Sequence, residues 1–170
     1  MRRGLKYNRD MYSITGVIVP QQEERTCSEY NWPDITLKEG VSLLPMERDY
    51  LFLVEGDETQ PADKLAFVIP QWLSDIVRHF SKSIYIEAAF WGGTGMQASV
   101  VFAQDRILLG PEISARAINA ALRQMGVDNG SSIKLFGLPF TTGADPFDMV
   151  GLGRHRAVSG WLQESYQKKH

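Results

Sequence analysis

The residues best arranged for chemistry are Gly93-Thr94-Gly95-Met96-Gln97-Ala98. They match the spacing G-x-G-x-x-A, in which glycines let a backbone close on a pyrophosphate at a helix N-terminus. Glu112 lies nineteen positions beyond Gly93, close to where a ribose-binding acid would sit. Such a site requires a helix over roughly 96–104. That segment holds Val100, Val101 and Phe102 in succession and has no apolar stripe at helical spacing. A hairpin loop whose glycines supply positive φ explains the same residues without a ligand, and is the favoured reading.

A second glycine pair, Gly151-Leu152-Gly153, runs into Arg154-His155-Arg156. Guanidinium forks suit phosphate oxygens. No aromatic platform is interleaved with the triplet, however, and Asp145 and Asp148 are near enough in sequence to pair with the arginines. A structural turn with paired or solvated arginines is the simpler reading. His79, His155 and His170 form neither H-x-x-x-H nor H-E-x-x-H, and Cys27 has no cysteine companion, so no zinc site is expected. The calcium-loop pattern, the G-x-S-x-G elbow and the P-loop are all missing. Cys27 would need a histidine delivered by folding to act as a nucleophile, and reads as a bystander thiol. Adjacent acids such as Glu23/Glu24 and Asp57/Glu58 could serve a hydrolase, but read as solvated loop carboxylates. The expectation is therefore no catalytic residue, no cofactor and no metal.

Charge is more informative than any motif. Between Asp10 and Asp63 lie twelve carboxylates against three cations, Arg25, Lys38 and Arg48. The nine preceding residues carry Arg2, Arg3, Lys6 and Arg9, and residues 64–170 are mildly basic, so a formal net charge of −2 hides this asymmetry. Summed charge governs encounter and partner choice rather than fold. The acids gather in two stretches read as loops, 21–34 and 55–63. The candidate partner-binding residues are Glu23, Glu24, Glu29, Asp34, Glu55, Asp57 and Glu58. Trp32 among them is a candidate apolar anchor, because tryptophan is enriched at interface hot spots.

The elements that must position these residues follow from periodicity. Tyr12–Val19 and Tyr50–Val54 read as strands, and 35–44 includes a weaker one. Leu65–Ile69 is a short strand or the lead-in to a helix. Pro70 then opens a helix to about Ser81, with Trp72, Leu73, Ile76, Val77 and Phe80 on one face. Residues 84–109 read as an antiparallel meander turning at Gly92–Gly95 and Gln104–Asp105. Ser114 is the expected N-cap of a helix striped by Ile118, Ala121, Leu122 and Met125 and stopped at Gly126. Ile133–Phe136 is a short strand, 138–146 a loop, 147–152 a helical turn and 161–169 a terminal helix. Together they predict one α+β domain spanning 1–170, with 1–10 a loose basic arm. Its mainly antiparallel sheet of about five strands packs against two or three helices. A lone cysteine and the lack of an apolar run of about 20 residues predict a cytoplasmic protein that engages no membrane.

The succession WLSDIVRHF, IYIEAAFW, GGTG, ASVVF, ARAINAALRQMG and DPFDMVGLGRHR resembles small bacterial immunity proteins encoded beside toxin domains, including those of contact-dependent growth inhibition. The likeness spans Trp72–Trp161 and carries no binding residue across. It implies a cognate toxin with a basic surface as partner, neutralised by tight non-covalent binding. A nuclease, whose surface grips phosphates, is one such toxin. On this reading the chain does not contact nucleic acid itself, and homo-oligomerisation is compatible with the role. The alternatives are an enzyme taking a nucleotide or phosphorylated ligand through Gly93–Ala98, and a structural or assembly subunit.

Overall fold

The computed structural model describes residues 11–53, 68–91, 94–127, 132–135, 138–141 and 146–168, with backbone alone for Met11, Trp91, Thr94, 132–135 and 138–141. The expected basic arm and Glu55, Asp57 and Glu58 lie outside them. The fold is α+β. Strand β1 (Met11–Pro20) leads through a 3-10 turn at Gln21–Glu23 into α1 (Glu24–Glu29). Strands β2 (Ile35–Thr36) and β3 (Val41–Pro45) follow, then α2 (Gln71–Val77). A meander of β4 (Ser83–Trp91), β5 (Thr94–Ala103) and β6 (Arg106–Ser114) leads to α3 (Ala117–Gln124). A hairpin, β7 (Ser132–Leu135) and β8 (Leu138–Thr141), precedes α4 (Pro146–Val150), a 3-10 turn at Leu152–Arg154, and α5 (Val158–Lys168). The main sheet has six strands in the order β2-β3-β1-β4-β5-β6, and every pairing is antiparallel.

Both faces of this sheet are covered. Along β1, Ile14 and Ile18 turn to one side and Val17 and Val19 to the other, and all four are fully buried. The first side packs on Ile118 and Leu122 of α3, Val150 of α4 and Trp161 of α5. The second packs on Cys27 of α1 and on Leu73, Val77 and Phe80 from α2 and the turn after it. Two-sided burial explains why IYIEAAFW reads as an almost unbroken apolar run instead of alternating with polar residues. Fully burying a large aliphatic or aromatic side chain stabilises by about 1.5–3 kcal/mol, and this double core holds the layers together.

Several expectations change on the structure. Residues 21–29 are helical, not a loop. Helix α2 ends at Val77, short of Ser81, and Pro70 is its N-cap, with its carbonyl accepting the N–H groups of Leu73 and Ser74 at 3.0 Å. Ser114 is not the N-cap of α3; Arg116 is. Ser114 Oγ instead accepts the Arg116 N–H at 3.2 Å and donates to Glu112. The stop at Gly126 is as expected: φ is +83°, the Gly126 N–H reaches Arg123 O, and the Val127 N–H reaches Leu122 O at 3.1 Å. These two bonds satisfy carbonyls that a helix end leaves free. Residues 138–141 form a strand where a loop was expected; Pro139 sits opposite Lys134 in a ladder that has two strands among the described residues, where its missing N–H is tolerated.

Tyr50–Leu53 is not a strand either, although it is apolar. Its N–H groups go to a side chain. Glu87, fully buried in the centre of β4, accepts the N–H of Leu51, Phe52 at 3.1 Å and Leu53 at 3.0 Å, and the Tyr85 hydroxyl at 2.7 Å. A carboxylate therefore holds the 46–53 segment across the second face of the sheet. Phe52 is buried there, and Arg48 lies 4.5 Å over the Trp72 ring.

Candidate functional site

The acidic stretch 21–34 folds into α1 and the turn beyond it. Cys27 is the only buried residue of α1, which is why the segment has no readable apolar stripe. The helix ends in a reversal at Asn31, whose φ is +52°. The Trp32 N–H then returns to Cys27 O at 2.9 Å. This reversal lays Trp32 against Tyr30, with ring centroids 4.8 Å apart and planes 18° from parallel. His79, just past α2, closes the group at 4.3 Å from Tyr30 and 5.7 Å from Trp32. Phe80, buried, supports Trp32 from below at 5.9 Å. Tyr30 remains 50% exposed. The product is a stacked aromatic platform with a buried base and an accessible rim, the arrangement that makes tyrosine and tryptophan effective interface anchors.

The candidate acids do not form one uniform patch beside it. Glu29 is exposed and pairs with Arg25 at 3.2 Å across one helical turn. Glu23 ties the start of α1 to the turn after α2, accepting both the N–H (3.0 Å) and the hydroxyl of Ser81. Glu24 faces the sheet, accepting the hydroxyls of Thr36 at 2.8 Å and Ser42 at 2.6 Å. Partial burial pushes the Glu24 carboxyl up, but those two hydroxyls and the charge of Lys168 outweigh it and hold the group below its ordinary range. Asp34 lies 3.8 Å from Lys168, which also donates to Thr36. Glu24 and Asp34 therefore converge on Lys168 of α5, Glu23 on the turn after α2, and Glu29 faces outward beside Tyr30. Glu55, Asp57 and Glu58 lie outside the described residues, so the meeting of the two acidic stretches does too.

The other chemistry-bearing motifs have structural tasks. Residues 96–103 are strand, which removes the helix that a dinucleotide site needs. Gly95 faces Phe90 in the β4–β5 ladder, and a Cβ there would lie 2.4 Å from Ala89 O. Close backbone approach in a hairpin is thus what that glycine provides. Glu112 pairs with Ser99 across β5 and β6. In the basic triplet, Arg154 and His155 both bind Glu164 of α5, at 3.0 and 2.6 Å, and both ride on Trp161, while Arg154 and Arg156 stay exposed. Arg154 thus has Glu164 as an ion-pair partner, which the sequence spacing did not suggest, and Asp145 lies outside the described residues. Burial, then the nearby charges of Asp34 and Glu24, push the Cys27 thiol up to about 12, which leaves it protonated and unreactive at neutral pH.

A surface depression of about 500 Å³ is lined by Glu47, Ser159, Leu162, Gln163, Tyr166 and Gln167. It holds no histidine or cysteine and brings no acid–base pair together. Among the described residues no group of three or more metal-ligating side chains converges, and no helix is long and apolar enough to cross a membrane. Comparisons with protein-family models, with curated proteins and with solved structures found no match. The function must therefore be argued from the platform itself. Its two least foreseeable members are Tyr30 and His79, forty-nine positions apart in the chain. The nearby sequence signal was the aromatic-acid cluster Glu29-Tyr30-Asn31-Trp32.

Proposed function

We propose that this chain is an immunity protein of antitoxin type, neutralising a toxin with a basic surface by tight non-covalent binding and performing no catalysis of its own. The Tyr30–Trp32–His79 platform carries this reading. An exposed aromatic stack beside outward-facing Glu29 suits the side chains of a Lys/Arg-rich surface, because guanidinium and ammonium groups are attracted both to ring faces and to carboxylates. The acidic excess of the segment around α1 adds long-range attraction to such a partner. Glu23, Glu24 and Asp34 contribute by fixing α1 in place and by their charge, and Trp32 by holding Tyr30 upright. The resemblance of Trp72–Trp161 to immunity proteins supplies the class of partner.

The test is co-purification from the native host followed by assay of the recovered partner. A small basic protein that inhibits growth alone, and is silenced by one equivalent of this chain, is the expected result. Recovery of the chain with a bound nucleotide and no protein would support the enzyme reading instead.

A further inference from the structure

Strand β6 is the outer strand of the six-stranded sheet, and among the described residues nothing pairs with its free edge. The opposite edge is β2, only two residues long. Very short edge strands are one way in which proteins discourage edge-to-edge pairing. β6 has nine residues, and Ile107, Leu108 and Leu109 in succession are 38%, 48% and 37% exposed. Three adjacent aliphatics left open on a sheet edge differ from apolar residues scattered singly over a surface.

The register of β6 on β5 directs this stretch outward. Phe102 faces Ile107 and Val101 faces Leu109, so Leu108 has no counterpart on β5. A bulge of this kind leaves the extra residue out of the ladder. Pro111 has no N–H, so the free edge offers one main-chain donor fewer at that position. Charge marks the two ends. Arg106 opens the strand, and its ion-pair partner is not found among the described residues. Glu112 lies beyond the apolar run and accepts the Ser114 hydroxyl at 3.0 Å.

We propose that β6 docks antiparallel against β6 of a second copy of this chain, forming a two-fold dimer. An isologous contact must be self-complementary. Antiparallel placement turns Arg106 of each copy toward the Glu112 end of the other, whereas parallel placement sets like charges side by side. Ile107, Leu108 and Leu109 of the two copies then shield one another. One strand from each copy is a small contact beside the ~1,200–2,000 Å² of stable complexes, so the dimer forms at about micromolar concentration. The contact does not require the Tyr30–Trp32 platform.

Sedimentation equilibrium on the full chain across a hundredfold range of micromolar concentration tests this. The wild type shows a monomer–dimer equilibrium. Leu108→Asp raises the dissociation constant more than about tenfold, and Leu108→Thr, which keeps a strand-forming residue, raises it in the same direction. Arg106→Glu and Glu112→Arg each weaken the dimer, and the double exchange restores it to within about threefold of wild type. That rescue separates a charge-matched interface from general damage to the fold. A wild type that stays monomeric throughout would overturn the proposal. So would a dimer indifferent to both Leu108 substitutions, or a double exchange weaker than either single one.

Discussion

Glu87 gives the sharpest stability prediction, because its four donors fix what each replacement can do. Oε2 accepts the N–H groups of Phe52 and Leu53, while Oε1 accepts the Leu51 N–H and the Tyr85 hydroxyl. A protonated Glu87 keeps this network: its hydroxyl donates to Tyr85 Oη and still has a lone pair for Leu51. Glutamine does not, since its amide would turn N–H against the Leu51 N–H. Glu87→Gln therefore leaves at least one backbone donor unsatisfied, at a cost of about 1–3 kcal/mol. The charge adds a second effect of opposite sign. Burial raises the Glu87 carboxyl above its ordinary value near 4.5, and the bonds from Leu51, Tyr85, Leu53 and Phe52 pull it down less than burial pushes it up. A raised carboxyl favours the folded state most where both folded and unfolded chains are protonated. That advantage is lost as pH rises through the ordinary value and then the raised one. Urea unfolding followed by circular dichroism should thus give the largest wild-type advantage over Glu87→Gln near pH 4, shrinking toward neutrality as the wild type bears the cost of a buried charge. Glu87→Leu, which deprives all three N–H groups, costs more, about 3–5 kcal/mol. A wild-type advantage that grows from pH 4 to pH 7 would refute the reasoning.

Three further outcomes follow from the same structure. Glu24 has the opposite pH signature to Glu87: its depressed carboxyl contributes stability above its ordinary value near 4.5, and this is lost as pH falls through the lower folded value. Glu24→Gln should therefore flatten the acid limb of Tm against pH, and an unchanged limb contradicts the assignment. Gly126→Ala meets no atom within 4 Å but must adopt φ +83°, so it costs about 1 kcal/mol, read from the urea midpoint at unchanged slope. Cys27, buried and protonated, should resist iodoacetamide at neutral pH in the native chain and react fully in urea; rapid native labelling would show that α1 is not docked.

Much of the fold was legible in the sequence. The β4–β6 meander was announced by β-rich runs separated by glycine and Gln104–Asp105 turns, and α3 by its stripe and Gly126. What was hidden depended on long-range partners. Tyr50–Leu53 looks like a strand by composition, but Glu87, far along the chain, takes its N–H groups. Glu87 itself was visible as a lone acid inside IYIEAAFW, and its meaning required knowing that both faces of the sheet are covered. Helix α1 escaped notice because one small residue, Cys27, is its entire buried face. Of the candidate site, the acid-rich neighbourhood and Trp32 were readable. Tyr30 as the exposed ring of the platform was not, since the reversal at Asn31 and the return of α2 decide it. Sequence spacing also overstated the acids as a set: Glu23 and Glu24 have internal hydroxyl and amide partners that no local pattern reveals.

The proposed role rests on the platform beside α1 binding a basic protein. The most direct measurement is quantitative capture from the native host with the wild-type chain and with the Glu29→Lys/Tyr30→Ala variant, which replaces exposed groups. A wild-type chain should retain a small basic protein at one-to-one stoichiometry, and the variant, equally folded by circular dichroism, should retain clearly less of it at chain concentrations near the wild-type dissociation constant, because an interface anchor worth about 1.4 kcal/mol or more weakens binding at least tenfold. Equal retention by both chains, or retention of no basic protein by the wild type, would contradict the claim.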